Sequence, residues 1–394
     1  MKSRRSSFFK QPIFLLVLLT VALACRGPKE STLPDKLDWN AISDKMVERI
    51  QLQPGERVFM LGQPGKFDTL ISLLESKIKS NKATYLGTVS IDSVQPSQWQ
   101  NDFTQAVSQA DSAGLIRIFN DVDLAIMLPG AVPTHRPYAA MQTVLRSGKA
   151  RTIHFHWIGA YDKNGKAIEV NDSVEMFYQK ALLETDYDAL GKLQQKFEAS
   201  AQNQWIEVTT PEGTALRFQI TGRPVTKQDG DASLQRSKKG ITLIDREVEL
   251  PAGAIRVAPL EETVEGKIAF PPSEWAGQKV NGLVITFAKG KITSITAAEG
   301  EEAVKKEIEM GGVAAQSFRE LAVGFNSALL PKNGHTWIPY FGYGAGVVRL
   351  SLGDNSELNG NVKGNYVRWN FFTNATVTVG SDVWIKEGKL IITK

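Results

Sequence analysis

Helical and strand-like spacings of apolar residues alternate along the first half of the chain. Trp39, Ile42, Met46 and Ile50 fall on one face of a helix, and residues 57–61, which are apolar after Arg57, form a run of strand length. The further predicted segments are strands at residues 83–89, 123–128 and 150–158, and helices around residues 67–78, 99–107 and 173–200. Because β-α-β-α order packs helices against parallel strands, the first half predicts a mainly parallel sheet.

Beyond residue 205, short strand patterns separated by glycine-containing turns dominate. The predicted strands cover residues 214–220, 241–250, 255–259, 266–270, 280–287 and 291–296, and one helix covers residues 299–309. The predicted fold class is therefore α/β, with an N-terminal parallel-sheet α/β domain followed by a β-rich α+β domain. The expected divisions are a leader over residues 1–25, a domain with a short tether over residues 26–205, and a domain over residues 206–394.

The leader has the pattern of an export signal. Four basic residues among the first ten precede an apolar run over residues 13–24. That run is too short to cross a bilayer core of about 30 Å as a helix. It ends in small residues before Cys25, which predicts a signal peptide. Cys25 resembles the lipobox cysteine that is lipidated after cleavage, and an ordinary secretory signal with an incidental cysteine is the alternative.

The composition of the chain limits the partners that it is expected to bind and the disulfides that it can form. The first 24 residues hold four of the 46 basic residues and none of the 42 acidic ones, so the rest of the chain is electrically balanced. Without a cationic surplus, nonspecific binding to nucleic acid or to anionic lipid is not expected. Cys25 is the one cysteine of the chain, so no internal disulfide can form.

Three short phrases in the second half carry the candidate chemistry: Leu-Pro-Ala-Gly-Ala at 250–254, Arg-Leu-Ser-Leu-Gly at 349–353 and Arg-Trp-Asn at 368–370. They resemble phrases of bacterial metallo-aminopeptidases of the aminopeptidase T and aminopeptidase S type (leucyl aminopeptidase-like), which read Leu-Pro-x-Gly-Glu, His-x-Ala-Leu-Gly and His-Trp-Asp. The resemblance extends over residues 214–394. It implies an α/β domain followed by a β-rich domain, and a homodimer.

The resemblance also implies a two-metal centre, most of whose positions are substituted here. By resemblance, the site positions are Ala254, Glu320, Gly344, Arg349, Arg368 and Asn370, with Ser356 in place of the catalytic tyrosine. A guanidinium has no lone pair to offer a metal, and the one retained carboxylate, Glu320, cannot hold two metals that activate water. We therefore expect a degenerate metal site and no metal cofactor.

The four histidines of the chain offer an alternative source of ligands. On the strand predicted at residues 150–158, His154 and His156 share one face, which suits a metal only if a third ligand comes from elsewhere. Two hydrogen-bonded sheet residues are the plainer interpretation. His335 lies between Glu320 and Arg349 in sequence and is a candidate to border the old cleft.

Two functional hypotheses follow. The first is a non-catalytic, lipid-anchored, aminopeptidase-like protein that binds a peptide or a small anion through Glu320, His335, Arg349 and Arg368. The second is an active, metal-dependent aminopeptidase that holds one or two divalent ions, such as zinc or cobalt, through relocated ligands. The expected location is the periplasmic face of a bacterial outer membrane. Arg26 follows Cys25 where lipoproteins retained at the inner membrane often carry an aspartate.

Overall fold

The computed structural model describes residues 37–92, 94–157, 160–162, 167–330 and 337–392. Cys25 with the predicted leader, and His335, lie outside these residues. Residues 36–394 form one compact unit, and the predicted boundary at residue 205 stays a prediction. Among the described residues, no helix has the length and apolar character needed to cross a membrane.

Helices and strands are numbered here in chain order. The helices are α1 Trp39–Ile50, α2 Asp68–Ser80, α3 Asp102–Gln109, α4 Ser112–Phe119, α5 Arg136–Arg146, α6 Asp172–Glu184, α7 Tyr187–Ala201, α8 Leu234–Lys238, α9 Leu243–Arg246, α10 Glu301–Met310 and α11 Gly312–Ala315. The strands of the first half are β1 Arg57–Gly62, β2 Thr84–Ser90, β3 Leu124–Met127, β4 Arg151–Phe155, β5 Ala160–Asp162 and β6 Ala167–Ile168. The strands of the second half are β7 Trp205–Thr209, β8 Ala215–Gln219, β9 Thr226–Lys227, β10 Glu247–Leu250, β11 Ala254–Val257, β12 Glu265–Ala269, β13 Ser273–Trp275, β14 Gln278–Val280, β15 Val284–Ala288, β16 Lys291–Thr296, β17 Phe318–Gly324, β18 Trp337–Pro339, β19 Val348–Gly353, β20 Val367–Phe372, β21 Thr376–Val379, β22 Asp382–Lys386 and β23 Lys389–Leu390.

The predicted parallel sheet is confirmed, with the strand order β10-β4-β3-β1-β2. Its strands β1, β3 and β4 are almost entirely buried, as expected for a parallel sheet covered by helices on both faces. One edge strand, β10, comes from beyond residue 205. The chain therefore returns to the first sheet after it has formed β7, β8 and β9 of the second half.

Parts of the helical content differ from the prediction. Helices α4 and α5 are additional to the predicted ones. The segment predicted as a strand at residues 241–250 begins with helix α9 and becomes a strand only at β10. The reason is a capping box: the Thr242 hydroxyl accepts from the Asp245 amide, and the Asp245 carboxylate accepts from the Thr242 amide. This local pairing starts a helix within a sequence of strand-like composition.

The second half is β-rich, as predicted, and its two large sheets are antiparallel. One sheet has the order β20-β19-β17-β11-β9, and a larger one has the order β16-β15-β12-β8-β7-β21-β22-β23. In the five-stranded sheet, every residue of β11, β17 and β19 is buried, whereas the edge strand β20 is partly exposed. The sequence-predicted site positions lie in or beside this sheet.

Candidate functional site

Glu320 lies on β17 directly opposite Ser351 of β19 and is fully buried. Its Oε2 accepts from Arg256 Nε and Nη2 at 3.1 and 3.0 Å, and its Oε1 accepts from Arg349 Nη2 at 2.9 Å and from Ser351 Oγ at 3.2 Å. Burial alone would raise the pKa of the carboxyl. The guanidiniums of Arg256, Arg349 and Arg319 oppose it and hold the pKa well below the ordinary value. Glu320 is therefore ionised and fully engaged.

A second carboxylate completes what we call the arginine–glutamate network: Arg256, Arg319, Arg349, Glu320 and Glu357. Glu357 Oε1 accepts from Arg256 Nη2 and from Arg319 Nη2, and its side chain is 29% exposed. The three arginines are almost fully buried. Sequence reasoning missed Arg256 and Glu357. Arg256 stands two residues after Ala254, hence on the same face of β11, and Glu357 directly follows Ser356.

Three of the predicted site positions, Ala254, Gly344 and Ser356, contribute no side chain to the arginine–glutamate network. Ala254 is buried in β11 opposite Gly324. A Cβ atom at Gly344 would lie 2.4 Å from the carbonyl oxygen of Leu329, so this position has no room for any side chain. The Ser356 hydroxyl donates to Asp354 Oδ1 at 2.7 Å in the turn after β19.

The register of β20 separates Arg368 and Asn370 from Arg349. Arg349 pairs with Phe371, and Leu350 pairs with Asn370. Side chains of directly paired residues share a face, and successive side chains alternate. Arg349 therefore shares its face with Trp369, whose ring centroid lies 5.0 Å from the guanidinium carbon. Arg368 and Asn370 face the other side of the sheet.

Arg368 has its own set of partners there. Its Nη1 donates to Glu307 Oε1 at 2.7 Å, its Nη2 donates to the Glu274 carbonyl at 2.7 Å, and its guanidinium lies 3.5 Å from the ring centroid of Trp275. Asn370 Oδ1 accepts from Arg368 Nε at 3.2 Å. The structure thus brings Glu320 and Arg349 together and places Arg368 and Asn370 in a separate cluster.

The side chains at the family's metal positions do not fit a metal centre. Both oxygens of Glu320 are engaged by guanidiniums, and each arginine offers donor hydrogens only. Among the described residues, no group of three or more His, Cys, Asp or Glu side chains is arranged to hold a metal ion. Two of the positions, Arg349 and Arg368, carry positive charge, and Ala254 and Gly344 have no side-chain lone pair to offer.

A separate histidine cluster lies along β10 and the C-terminal end of β4; its members are Tyr138, His154, His156, Glu247, Glu249 and Tyr343. His154 and His156 stack with ring centroids 3.6 Å apart, as their shared strand face predicts. The Tyr138 hydroxyl lies 2.9 Å from His154 Nδ1 and also donates to Glu247, while the Tyr343 hydroxyl donates to Glu249. These hydrogen bonds join β4 and β10 to helix α5 and to the segment before β19.

Burial and neighbouring charges shift the pKa values of the two carboxylates of the histidine cluster in opposite directions. Burial raises the pKa of Glu247 to about 7, against the opposing hydrogen bonds from Tyr138 and Gln142. Burial would also raise the pKa of Glu249, but the hydrogen bond and charge of His156 outweigh it and lower that pKa to about 2. The pKa of His154 falls well below 6.5 because it is buried and lies beside His156. Glu249 is therefore the carboxylate of the cluster that stays ionised.

A cavity of about 670 Å³ opens beside β20. Residues 367–371 line it, together with the aromatic side chains of Tyr161 and Phe270 and the charged side chains of Lys279 and Glu274. Of the predicted binding residues, Arg368 lines this cavity, whereas Glu320 and Arg349 are buried in the arginine–glutamate network. A cavity of this size and aromatic character suits a ligand of small-molecule or short-peptide dimensions.

Comparisons with known proteins agree with this fold. Residues 202–338 match the thermophilic metalloprotease (M29) family. The fold is similar to that of 2,5-dihydroxypyridine dioxygenase from Pseudomonas putida KT2440, with a TM-score of 0.63, 12% identity, and coverage of 91% of this chain and 99% of that one. It is also similar to wild-type AmpT from Thermus thermophilus, with a TM-score of 0.59, 14% identity, and coverage of 90% and 99%. None of the curated proteins compared matches the sequence.

These two structural neighbours have different activities. One is a dioxygenase and the other an aminopeptidase, so the shared architecture does not fix the reaction. The M29 match covers β11 and β17, which carry Ala254, Arg256 and Glu320. The predicted resemblance is confirmed to this extent: residues 202–338 match the M29 metalloprotease family, and the fold is similar to that of AmpT.

Proposed function

We propose that this chain is a lipid-anchored relative of the aminopeptidases that has lost metal-dependent hydrolysis and binds a peptide or a small anion. The observation that supports the proposal most directly is that Glu320 is ion-paired with arginines. The carboxylate retained from the family's ligand set is held on both oxygens by Arg256 and Arg349.

The charge at this position supports loss of catalysis. A two-metal peptidase needs several anionic or neutral donors around ions that activate water. In the arginine–glutamate network, three guanidiniums face two carboxylates, a formal excess of one positive charge. A divalent cation brought there would meet repulsion from the guanidiniums. The network instead fills the volume with internally paired side chains.

The cavity beside β20 supports a binding role. It has aromatic walls and carries charges of both signs, from Lys279 and Arg368 and from Asp162 and Glu274. Such a lining suits a peptide, which has an apolar part and a polar backbone. The lipid anchor rests on the sequence of the leader and on Cys25, as argued above.

Hydrolysis assays test the loss of catalysis. Wild-type protein should release no product above background from aminoacyl anilides, with or without added zinc, cobalt or manganese. The variant Ala254→Glu should be equally inactive, because the arginines at 349 and 368 remain. Chelator-sensitive release of the first amino acid by the wild type would overturn the proposal in favour of an active aminopeptidase.

A further inference from the structure

We propose that the free edge of β20 takes up an extended peptide as an added strand, with apolar side chains at every second position. This inference rests on the proposed binding function and names its ligand class and its geometry. In the described part of the chain, β20 is the outermost strand of its sheet, paired with β19 on one side. The other side borders the cavity of about 670 Å³.

The hydrogen-bond phase of the β19–β20 ladder shows which backbone groups face outward. The Asp354 amide donates to the Tyr366 carbonyl at 2.9 Å, which makes these two a hydrogen-bonded pair. Hydrogen-bonded and non-hydrogen-bonded pairs alternate along an antiparallel ladder. The pairs formed by Leu352 with Arg368 and by Leu350 with Asn370 are therefore the bonded ones.

The intervening residues Val367, Trp369 and Phe371 must direct their N–H and C=O groups away from β19. The neighbouring strand agrees: the amide of Gly353, opposite Val367, donates to the Ser317 carbonyl at 3.0 Å and so points away from β20. Within the described residues, the outward groups of β20 have no backbone partner. An added strand could satisfy all of them.

The shape of the cavity shows that this edge is accessible. Five consecutive residues, 367–371, line one and the same cavity. Successive side chains of a strand point to opposite faces, so a cavity touching all five must run along the strand's edge. Pro271 and Pro272 also line it, and because proline has no amide hydrogen, this wall cannot complete the ladder itself.

The side chains around the edge indicate the peptide's chemistry. Trp369 is 36% exposed, and with Tyr161 and Phe270 it provides aromatic surface on which apolar side chains can pack. Lys279 and Glu274 are directly paired across the β13–β14 hairpin, so the charges at that end cancel. In strand addition, backbone hydrogen bonds provide affinity and alternate side chains provide specificity. The fitting occupant is an uncharged extended segment with alternating apolar residues.

The first experiment probes the backbone bonds from the ligand side. The probe is a fluorescent six-residue peptide of alternating leucine and threonine, matching the length of β20 and blocked at both ends. Each amide is N-methylated in turn, and binding to the wild-type protein is measured by fluorescence anisotropy. Methylation at every second position should weaken binding about tenfold, the value of a lost hydrogen bond, and the intervening positions should change little. A uniform profile, or no binding, would overturn the proposal.

The second experiment changes the protein at one outward-facing amide. Trp369→Pro removes the outward N–H and keeps the ladder with β19, and Trp369→Ala is the control that loses the same ring but keeps the N–H. The proline variant should bind about tenfold more weakly than the alanine variant. Equal affinities of the two variants would overturn the proposal. The proposal would also be overturned if the wild type bound no peptide and formed a homodimer that Trp369→Pro dissociates. Because the probe has no free amino terminus, these outcomes do not depend on whether the protein hydrolyses peptides.

Discussion

Individual arginine side chains place positive charge around Glu320. The alternation of side chains along each strand determines that they point toward it. Arg256 and Arg349 reach the carboxylate from the two strands that flank β17, so the ion pairs cross three neighbouring strands. A carboxylate buried this deeply would be costly if it were unpaired. Arg256 and Arg349 therefore neutralise the buried carboxylate, and the carboxylate in turn neutralises the buried guanidiniums.

Removing the charge of Glu320 should destabilise the fold. The variant Glu320→Gln keeps the size of the side chain but leaves Arg256 and Arg349 without a buried counter-charge, at an expected cost of about 3–5 kcal/mol. The free energy of unfolding in urea measures it. The matched control is Glu265→Gln, which breaks an ion pair with Arg217 whose side chains are 51% and 54% exposed; its expected cost is below about 1 kcal/mol. Equal effects of the two variants would contradict this account.

Glu247 should give the fold a distinct pH dependence. Its pKa is about 7 in the folded chain against 4.5 for a free carboxyl, so between these values the folded state keeps a proton that the unfolded chain releases. The resulting stabilisation is complete below the unfolded pKa and is lost as pH rises through the folded pKa. His154, with its lowered pKa, acts in the opposite direction, as its contribution is lost on acidification.

The variant Glu247→Gln isolates the contribution of Glu247 from that of His154. From about pH 4.5 to about pH 8, the wild type should lose roughly 3 kcal/mol of stability relative to this variant. Urea unfolding at a series of pH values measures the difference. Parallel pH profiles for the two proteins would show that Glu247 keeps an ordinary pKa in the folded state.

At the scale of elements, the segment after β17 packs unusually closely against the segment before β19. A Cβ atom at Gly344 would meet the Leu329 carbonyl oxygen at 2.4 Å, a distance that requires backbone movement. We expect Gly344→Ala to cost about 1–3 kcal/mol or more. Gly191→Ala in α7 is the control, because its Cβ would meet Asp229 at an ordinary 3.6 Å and alanine favours a helix. Thermal unfolding distinguishes them, and an unchanged melting temperature for Gly344→Ala would contradict the packing.

Periodicity predicted most of the elements, because burial imposes a regular spacing on apolar residues. The strand bounds of β1, β3 and β8 agree with the predicted segments to within a few residues. Helix α9 could not be predicted from apolar spacing because a capping box decides it. The return of β10 to the first sheet pairs residues that lie far apart in sequence, and no local pattern encodes that pairing.

The same limit applies to the site. The resemblance names Glu320 and Arg349 among the positions of one site, and in the structure Arg349 donates to Glu320. It does not reveal that Arg368 and Asn370 face the opposite side of the sheet, because that depends on the register between β19 and β20. Arg256 and Glu357 enter the network only through the fold, although each stands within two residues of a predicted site position.

At the scale of the whole molecule, the leader predicts where the protein works. If Cys25 carries acyl chains, the protein should fractionate with membranes, and the extracted N-terminal peptide should begin at a lipidated Cys25 by mass spectrometry. Two or more acyl chains anchor firmly, whereas one anchors only marginally. Cys25→Ser should release the protein into the soluble fraction, and Ser31→Ala should not. A wild-type protein with an intact Met1 terminus would contradict the anchor.

The central proposal is that paired arginines and glutamates occupy the place that holds metal in the aminopeptidases this chain resembles. Metal content measures this most directly. Purified mature protein is incubated with zinc, cobalt or manganese, freed of excess ion and analysed by plasma mass spectrometry. We predict far less than one equivalent of bound metal per chain, with no change in thermal stability on chelation. Retention of about one or two equivalents, as a water-activating centre would need, together with a fall in stability on chelation, would contradict the claim.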